Sequence, residues 1–374
     1  MSEQRRVSAD VVVVGGGIVG GASAYYLAKR GVRVVLMEKG VVGGEASGRN
    51  GGGVRQQCRD RRERGLAMAS VKLWEGIQAE LGFDMEYAQD GNIRMATNDA
   101  RMDALRAEGE EELADGLAVE IWDRETLRKR APYLGDVFIG AKYCATDGIA
   151  NPILSSRAFG WAAKRIGVTI LDHTEAVEVR MDGGQVTGVL GRDAAGEILV
   201  EAPMVIHAGG PWSPHLSKTL GITLPIVPKR ATVVVTQRVP FLFKEFVSSH
   251  DLNFYARPAK AGQIHVGGID VPAETFDKSA TVEILAKIAQ GVALGIPALK
   301  GASFLRMWSG TLAMTPDKVP VIGPVPGVEG YLLAAGFSGH GFCLGPIAGK
   351  LMSEMVLDGG ASMDLGAFGV GRFG

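Results

Sequence analysis

The sequence has few cysteines and no long apolar run, and each shortage excludes a class of protein. Its three cysteines, Cys58, Cys144 and Cys343, are odd in number and widely spaced, which argues against a disulfide framework and against a CxxC metal or redox pair. No apolar run approaches the ~20 residues of a membrane-spanning helix, and no secretory signal peptide is visible. We therefore expect a cytoplasmic protein without a metal site and without an integral membrane segment.

The chain also lacks an excess of charge of either sign. Its 40 basic and 41 acidic residues give a formal net charge of -1, so no strong overall field attracts nucleic acid or an anionic membrane surface. With 374 residues and 46% hydrophobic content, the chain can bury a large core, and its length fits about two domains. Recognition is expected to be local and directed at a small molecule.

Glycine, by contrast, is abundant, and many of the 53 glycines follow predicted strands. A β-branched run at residues 10–14 ends in three glycines, a helical pattern follows over residues 18–30, and a second strand covers residues 32–38. Short β-branched runs of this kind are typical of buried parallel strands. The order predicts a βαβ unit of the dinucleotide-binding kind.

The middle of the chain has a different pattern. Residues 231–237, 252–258 and 263–268 alternate in the manner of an antiparallel sheet with one polar or cavity-facing side. Near the C-terminus, a strand at 331–335 leads through glycines into a helix at 347–357. This order is again typical of a buried parallel strand followed by a helix. The pattern predicts an α/β fold in which a Rossmann-type domain is interleaved with an antiparallel α+β substrate domain.

We place the domain boundaries where these patterns change. The dinucleotide-binding domain is predicted to comprise residues 1–85, 145–225 and 310–374. The substrate domain is predicted to comprise residues 86–144 and 226–309.

The glycines after the first strand fit the motif GxGxxG. Gly15 permits the tight turn, Gly17 lets a pyrophosphate approach the backbone, and Gly20 lets the helix pack on the strand. Glu38 ends the next strand, where a carboxylate accepts hydrogen bonds from ribose hydroxyls and repels the 2′-phosphate of NADP. In this context the motif predicts a site for NAD or FAD.

Two further glycine-rich segments favour FAD over NAD. Residues 43–53 directly follow Glu38, and backbone of this kind is needed along a flavin that lies across the sheet. Residues 335–345 enter a helix whose positive N-terminal end suits the negative charge of a reduced flavin. We therefore predict an FAD-binding domain.

Four blocks carry a resemblance to the D-amino-acid oxidase, glycine oxidase and sarcosine oxidase superfamily over essentially the whole chain. They are VVVVGGGIVGGASAYYLAKRG, VIHAGGPWSP, MTPDKVPVIGPVPG and AAGFSGHGFCLGPIAGKLMSEMVLDG. Within the superfamily, ASGRNGGGVRQQ and SGTLAMTPDKVPVIG are most similar to β subunits of heteromeric sarcosine, proline, hydroxyproline and opine dehydrogenases or oxidases. The resemblance implies oxidation of the C–N bond of a small amino acid or secondary amine, with possible α and γ subunits that carry further redox centres.

The resemblance, together with the glycine motif, also implies which residues bind the cofactor. The predicted FAD-binding residues are Gly15, Gly17, Ile18, Val19, Gly20, Glu38, Lys39, Ser47, Arg49, Asn50, Gly51, Gly52, Val177, Ala208, Gly209, Trp212, Gly310, Gly339, His340, Gly341 and Phe342.

Departures from the family pattern bear on cofactor attachment and on the electron acceptor. Gly310 stands where monomeric sarcosine oxidase has the cysteine that tethers its flavin, and residues 148–152 contain no histidine for covalent FMN. We therefore expect noncovalent FAD. His265 stands near the place of the oxygen-activating lysine, which favours a dehydrogenase over a self-sufficient peroxide-producing oxidase. A flavin-binding assembly subunit without turnover is the third possibility.

The residues that hold the substrate are less clearly marked. Residues 310–313 read GTLA where relatives have a GLRP-like segment with a carboxylate-binding arginine. Arg55 is the candidate anchor, although the charged run 55–64 is also typical of a solvated face. Tyr255 and Arg257 share one face of a strand and line the pocket if they do not simply pack. Together with His265 and with His340, which lies between glycines at a predicted helix start, they complete the predicted catalytic set.

Overall fold

The computed structural model describes residues 5–374, except for the side chains of residues 269–273. Over this part of the chain the strands, numbered in order, are β1 (Arg5–Ser8), β2 (Val11–Val14), β3 (Val34–Met37), β4 (Gly53–Val54), β5 (Asn92–Ala96), β6 (Glu120–Asp123), β7 (Gly140–Cys144), β8 (Gly148–Ile149), β9 (Thr169–Leu171), β10 (Glu175–Asp182), β11 (Gln185–Asp193), β12 (Gly196–Glu201), β13 (Met204–His207), β14 (Val227–Arg238), β15 (Phe246–Ser249), β16 (Phe254–Pro258), β17 (Gln263–Glu274), β18 (Phe304–Met314), β19 (Val321–Pro324) and β20 (Tyr331–Ala335).

The α-helices of the same part of the chain are α1 (Ile18–Lys29), α2 (Ala46–Arg49), α3 (Arg61–Leu81), α4 (Asp99–Ala114), α5 (Arg124–Arg130), α6 (Pro152–Arg165), α7 (Ser213–Ser217), α8 (Val282–Gly295) and α9 (Gly341–Asp358). Among the helices described, none is both long enough and apolar enough to cross a membrane.

A six-stranded sheet in the order β19-β20-β13-β2-β3-β9 forms the frame of the dinucleotide-binding domain. Its strands are parallel except β19, which pairs antiparallel with β20 at one edge. Helices α1, α3, α6 and α9 pack on one face, and a four-stranded sheet, β1-β12-β11-β10, packs on the other. Every residue of β2 and β3 is buried as a result, which is why these strands consist of consecutive apolar residues.

An eight-stranded sheet in the order β18-β14-β17-β16-β15-β5-β7-β6 forms the second domain. Its neighbours are antiparallel except β15 and β5, which run parallel. One face is apolar and packs against Ile284, Ile288 and Val292 of α8. Because side chains alternate between the two faces of a strand, the polar residues of the same strands lie on the opposite face.

The interleaved fold class is confirmed. The chain enters the six-stranded sheet with β2 and β3, leaves for β5 to β7, returns for β9 and β13, leaves again for β14 to β18, and finishes with β19 and β20. The domain boundaries stay a prediction, and β18 crosses the one placed between residues 309 and 310.

Helix α9 begins six residues before the predicted start at 347 and contains Pro346. Gly341 and Gly345, which the sequence places before the helix, lie within it, and Gly345 and Gly349 serve helix packing. A Cβ on Gly345 would lie 2.6 Å from Cγ2 of Ile18, and a Cβ on Gly349 would lie 2.4 Å from Cβ of Ala22. The glycines therefore let α9 approach α1 closely, and this packing outweighs the single backbone hydrogen bond that a proline removes.

Candidate active site

A long cavity lies at the carboxyl ends of β2, β3 and β13, where open α/β sheets bind their ligands. One part includes Glu38 and Trp212 in its wall, and the other includes Leu312 and Phe342. We call them the adenosine-end cavity and the flavin-end cavity. The two share a stretch of wall formed by Gly17, Ala46, Ser47, Ala208, Gly210 and Pro211. The continuous trench has the elongated shape that a dinucleotide requires.

The glycine motif builds the floor of this trench. Gly15 has a φ of +101°, which favours glycine, and a Cβ there would lie 2.4 Å from the carbonyl oxygen of Ala208. A Cβ on Gly20 would lie 1.9 Å from the carbonyl oxygen of Gly15, so this glycine lets α1 pack against the turn. Helix α1 has no acidic residue in its first turn. Its positive end therefore suits a pyrophosphate.

Glu38 lies at the end of β3 in the wall of the adenosine-end cavity. Its Oε2 accepts a hydrogen bond from the amide of Gly16, and its Oε1 accepts one from the amide of Gly40, each at 2.7 Å. Burial raises the pKa of Glu38, and the two amides act against this rise. A hydrogen-bonded carboxylate at this place can accept bonds from ribose hydroxyls, so these residues fit the adenosine half of FAD.

The flavin-end cavity lies between the N-terminus of α9 and strand β18. Gly339, Gly341 and Phe342 line it from one side, and Thr311 and Leu312 line it from the other. Helix α9 has no acidic residue in its first turn, so its N-terminus offers partial positive charge. This wall fits a flat ring that becomes negative when it is reduced.

Residues 274–281, which we call the strap, contact residues of the wall of the adenosine-end cavity. The ring of Phe276 stacks on Trp212 at a centroid distance of 5.2 Å and lies 5.8 Å from the ring of His215. The Nζ atom of Lys278 lies 2.8 Å from Oε1 of Glu45. Trp212, His215 and Glu45 all line the cavity, so the strap is attached to its wall by stacking and by an ion pair.

The polar face of the eight-stranded sheet carries two cross-strand rows of side chains. In the first row the register aligns Arg94 with Ser248, Ser248 with Tyr255, and Tyr255 with Gly267. The second row lies two residues farther along each strand and contains Asn92, Phe246, Arg257 and His265. Directly opposed residues project from the same face of a sheet. The predicted shared face of Tyr255 and Arg257 is therefore confirmed.

The loop Gly51–Gly53 lies flat on this polar face. Cβ atoms added to its three glycines would lie 2.3 Å from the ring of Tyr255, 2.7 Å from Nε of Arg257 and 3.1 Å from the ring of Phe246, respectively. Asn50, immediately before the loop, lines the flavin-end cavity. The loop therefore contacts the polar face and directly follows a residue of the wall of the flavin-end cavity.

Arg257 and His265 form a buried pair on this face. Arg257 is 3% exposed, its Nε donates to the carbonyl oxygen of Gly51 at 2.6 Å, and its Nη2 lies 3.3 Å from Nδ1 of His265. Burial lowers the pKa of Arg257 to about 10, which leaves it charged at neutral pH. Burial and the adjacent arginine lower the pKa of His265 to about 3. A neutral imidazole therefore accepts a hydrogen bond from a charged guanidinium.

Three arginines, Arg55, Arg59 and Arg94, lie close enough to His340, at the start of α9, for their charges to act on it. Burial lowers the pKa of Arg55 to about 10, and the positive charges of Arg59 and Arg94 act in the same direction. Arg59 is buried, and its Nη1 has no hydrogen-bond partner. The carboxyl groups of Asp147 and Glu63 are the counter-charges that act on this cluster.

His340 lies between Gly339 and Gly341, which both line the flavin-end cavity. It is the N-cap of α9, and its Nδ1 lies 2.7 Å from Oε2 of Glu63 on α3. Its contact with flavin stays a prediction.

Most of the other predicted cofactor residues line the trench, and their binding roles stay predictions. The adenosine-end cavity includes Gly15, Gly17, Glu38, Lys39, Ser47, Ala208, Gly209 and Trp212 in its wall. The flavin-end cavity includes Ile18, Val19, Asn50, Gly339, Gly341 and Phe342.

The remaining predicted cofactor residues lie next to the trench rather than in its wall. Arg49 donates from Nε to the carbonyl oxygen of Gly44 at 2.7 Å, and a Cβ on Gly310 would lie 3.1 Å from Cβ of Arg49. Gly51 and Gly52 contact the polar face, as described above. Residues 174–176 line the adenosine-end cavity, and Val177 follows them directly on β10.

Sequence reasoning missed Arg59, Arg94, Glu63 and the strap. The charged run 55–64 is a solvated face only in part. Arg61 and Arg62 are exposed, whereas Arg59 is buried. No local pattern marks Arg94 or the strap, because their contacts depend on the packing of distant segments.

Comparison with known proteins agrees with this geometry. Residues 10–355 match the DAO family of FAD dependent oxidoreductases. The chain is 30% identical to glycine oxidase of Bacillus subtilis (strain 168), with 97% of each chain covered, and 30% identical to sarcosine oxidase subunit beta of Arthrobacter sp., with 98% of this chain and 91% of that one covered. The structure superimposes on L-proline dehydrogenase from P. horikoshii with a TM-score of 0.91 and 31% identity, covering 98% of both chains. The chain therefore belongs to the DAO family of FAD-dependent oxidoreductases.

Proposed function

We propose that this protein oxidises the C–N bond of a small amino acid or secondary amine and that it is the catalytic β subunit of a heteromeric dehydrogenase. The observation that carries the proposal is the position of Tyr255 and Arg257. Both are held against the glycine loop beside the flavin-end cavity, and Arg257 is charged and buried there. A buried guanidinium binds a carboxylate more favourably than it binds a neutral group.

The chemistry requires little acid or base catalysis from the protein. When bound, FAD accepts a hydride from the carbon next to the substrate nitrogen. The substrate also loses a proton from nitrogen, and the imine that forms is hydrolysed by water. The protein has to orient the amine and hold its carboxylate. Burial raises the pKa of Tyr255, so its hydroxyl stays protonated and can donate a hydrogen bond to that carboxylate.

The choice of a dehydrogenase depends on His265. His265 stands near the position of an oxygen-activating lysine, and its imidazole is neutral, so this side chain itself supplies no positive charge for reaction with O2. The charge closest to it on this face is that of Arg257, 3.3 Å away. The likeness to L-proline dehydrogenase supports a dehydrogenase, and the likeness to a sarcosine oxidase subunit beta supports a heteromer. The likeness to glycine oxidase supports the alternative, a self-sufficient oxidase.

The three cysteines are free thiols, which supports a cytoplasmic location.

Rapid mixing of the purified, FAD-loaded protein with candidate amines tests the proposal. We expect sarcosine, proline, hydroxyproline, an opine or a D-amino acid to bleach the flavin absorbance without air, and we expect slow reoxidation when O2 is added. Fast reoxidation with release of peroxide would identify the self-sufficient oxidase. If none of these amines reduced the flavin, a flavin-binding assembly role would replace the proposal.

A further inference from the structure

A buried histidine, His207, lies in the wall of the adenosine-end cavity, at the carboxyl end of β13. It is 1% exposed, and burial lowers its pKa to about 3, so its imidazole carries no charge at neutral pH. Its Nδ1 lies 2.6 Å from the hydroxyl oxygen of Tyr331, which in turn lies 3.3 Å from Oγ of Ser217. The three residues come from β13, β20 and α7, so this row of polar groups forms only in the folded protein.

The short contact between His207 and Tyr331 indicates which nitrogen of the imidazole carries the proton. Hydroxyl donors make hydrogen bonds of about 2.7 Å, whereas the bonds of N–H donors are most often about 2.9 Å long. A separation of 2.6 Å therefore indicates that the Tyr331 hydroxyl donates to Nδ1. Burial raises the pKa of Tyr331, so the hydroxyl keeps its proton. A neutral imidazole has one proton, which must then be on Nε2.

This Nε2 donor has no partner in the protein. Among the residues that the structure describes, Tyr331 is the only one that forms a hydrogen bond with His207, and it does so at Nδ1. Nε2 lies beside Gly209 of the cavity wall, where an added Cβ would be 2.6 Å from it. The same Cβ would be 3.5 Å from Oγ of Ser213, which is also buried without a partner. Buried polar atoms without partners are costly, so these two atoms indicate a ligand.

The adenosine diphosphate half of FAD fits this place. Glu38, which suits ribose hydroxyls, is in the same cavity wall as His207. Ala208, the next residue, touches the glycine turn, because a Cβ on Gly15 would lie 2.4 Å from its carbonyl oxygen. Adenine nitrogens, ribose oxygens and phosphate oxygens all accept hydrogen bonds. The carboxylate of Glu38 can only accept them, so a donor such as Nε2 of His207 complements it.

We propose that His207 donates a hydrogen bond from Nε2 to the adenosine diphosphate half of FAD, and that Tyr331 positions His207 by holding its ring and its tautomer. The inference concerns cofactor binding and stands whichever amine the protein oxidises. Neither residue belongs to the glycine motif, and neither was among the residues that the sequence predicted to bind FAD.

Titration of the apoprotein with FAD, ADP and AMP tests the contact. His207→Leu removes the donor and should raise the Kd for FAD and the Kd for ADP by a similar factor, ~10-fold or more. His207→Gln, whose amide nitrogen can take the place of Nε2, should keep both values within about threefold of those of the unchanged protein. His250→Gln, at an exposed position, is the control and should alter neither. A loss that is already present with AMP assigns the acceptor to the nucleoside or its first phosphate, and a loss seen only with ADP assigns it to the second phosphate.

Nitrogen-15 spectra test the role of Tyr331. The protein has six histidines, and the signal that His207→Gln lacks identifies His207. This signal should show a proton on Nε2 and none on Nδ1, and the Nε2 proton should shift when ADP or FAD is added to the apoprotein. Tyr331→Phe should lose the fixed tautomer and raise the Kd for ADP by ~3-fold or more. Tyr143→Phe, at a half-buried tyrosine of the eight-stranded sheet, should change neither the spectrum nor the Kd.

Several results would overturn the inference. If His207→Leu left the Kd for ADP unchanged, His207 would not contact this half of FAD. An equal loss in His207→Gln would mean that the ring serves packing and not hydrogen bonding. A proton on Nδ1 in the unchanged protein, or an Nε2 signal that does not respond to ADP, would contradict the donor. Thermal unfolding of each apoprotein verifies that the variants are folded, and if His207→Leu were not, the spectra of the unchanged protein would still decide.

Discussion

His340 Nδ1 and Glu63 Oε2 lie 2.7 Å apart, at the point where the N-terminus of α9 meets α3. Glu63 is fully buried, and its second oxygen has no hydrogen-bond partner. Burial raises the pKa of Glu63 to about 7. Burial, with the charges of Arg59 and Arg55, lowers the pKa of His340 well below its usual range. Near pH 7 a neutral histidine therefore faces a carboxyl group that is about half protonated.

This pair predicts a specific pH dependence of stability. Folding raises the pKa of Glu63 above its usual 4.5, so the folded state binds more protons between about pH 4.5 and 7, and the contribution of Glu63 to stability falls as pH rises. Folding lowers the pKa of His340 below 6.5, so its contribution rises with pH up to about 6.5. Glu63→Gln removes the first effect only.

The free energy of unfolding of Glu63→Gln should therefore rise relative to the unchanged protein by about 2 kcal/mol between pH 5 and 7.5. Urea unfolding at several pH values measures this difference. Glu110→Gln, which alters an exposed carboxylate, is the control and should show no such trend. A constant difference between Glu63→Gln and the unchanged protein would contradict the raised pKa.

Arg55→Ala tests the anchor that was predicted from the sequence. If Arg55 helps to hold a substrate carboxylate, the variant should raise KM by ~10-fold or more, equivalent to about 1.4 kcal/mol, with FAD still bound. Steady-state kinetics with the best amine substrate provides the measurement. Arg306→Ala, at an exposed position, should leave KM unchanged. An unchanged KM in Arg55→Ala would leave Arg59 and Arg257 as the anchors.

Phe276→Ala should weaken FAD binding, because the strap then loses its stacking on Trp212. We expect the Kd for FAD to rise by ~5-fold or more, which corresponds to a loss of about 1 kcal/mol of binding free energy. Titration of the apoprotein with FAD, followed by flavin fluorescence, measures this value. Phe241→Ala, at a side chain that is 82% exposed, is the matched control. Equal affinities in the two variants would show that the strap does not retain the cofactor.

Acid precipitation of the yellow protein should release all the flavin into the supernatant. Among the described residues, the lining of the flavin-end cavity contains no cysteine, histidine or tyrosine, so no side chain there can form a covalent bond to the flavin ring. Absorbance spectra of the supernatant and of the redissolved pellet provide the measurement. Flavin that stayed with the pellet would disprove noncovalent binding.

The cofactor site was largely predictable from the sequence, because its elements are local. The turn at Gly15, the start of α1 and the carboxylate of Glu38 occupy consecutive segments of one βαβ unit, and their spacing along the chain fixes their geometry. Alternation in the middle of the chain likewise predicted an antiparallel sheet, and it placed Tyr255 and Arg257 on one face.

The sequence by itself thus determined the fold class, the dinucleotide trench and the kind of cofactor. Only the tertiary structure decided which charged side chains meet beside the trench. Arg55, Arg94 and Arg257 come from a loop and from two strands of another sheet, and Glu63 meets His340 across two helices. Periodicity specifies which face of a helix or strand is polar, but it does not specify which distant segment packs against that face. That choice is made when distant segments pack together and exclude water from their charges.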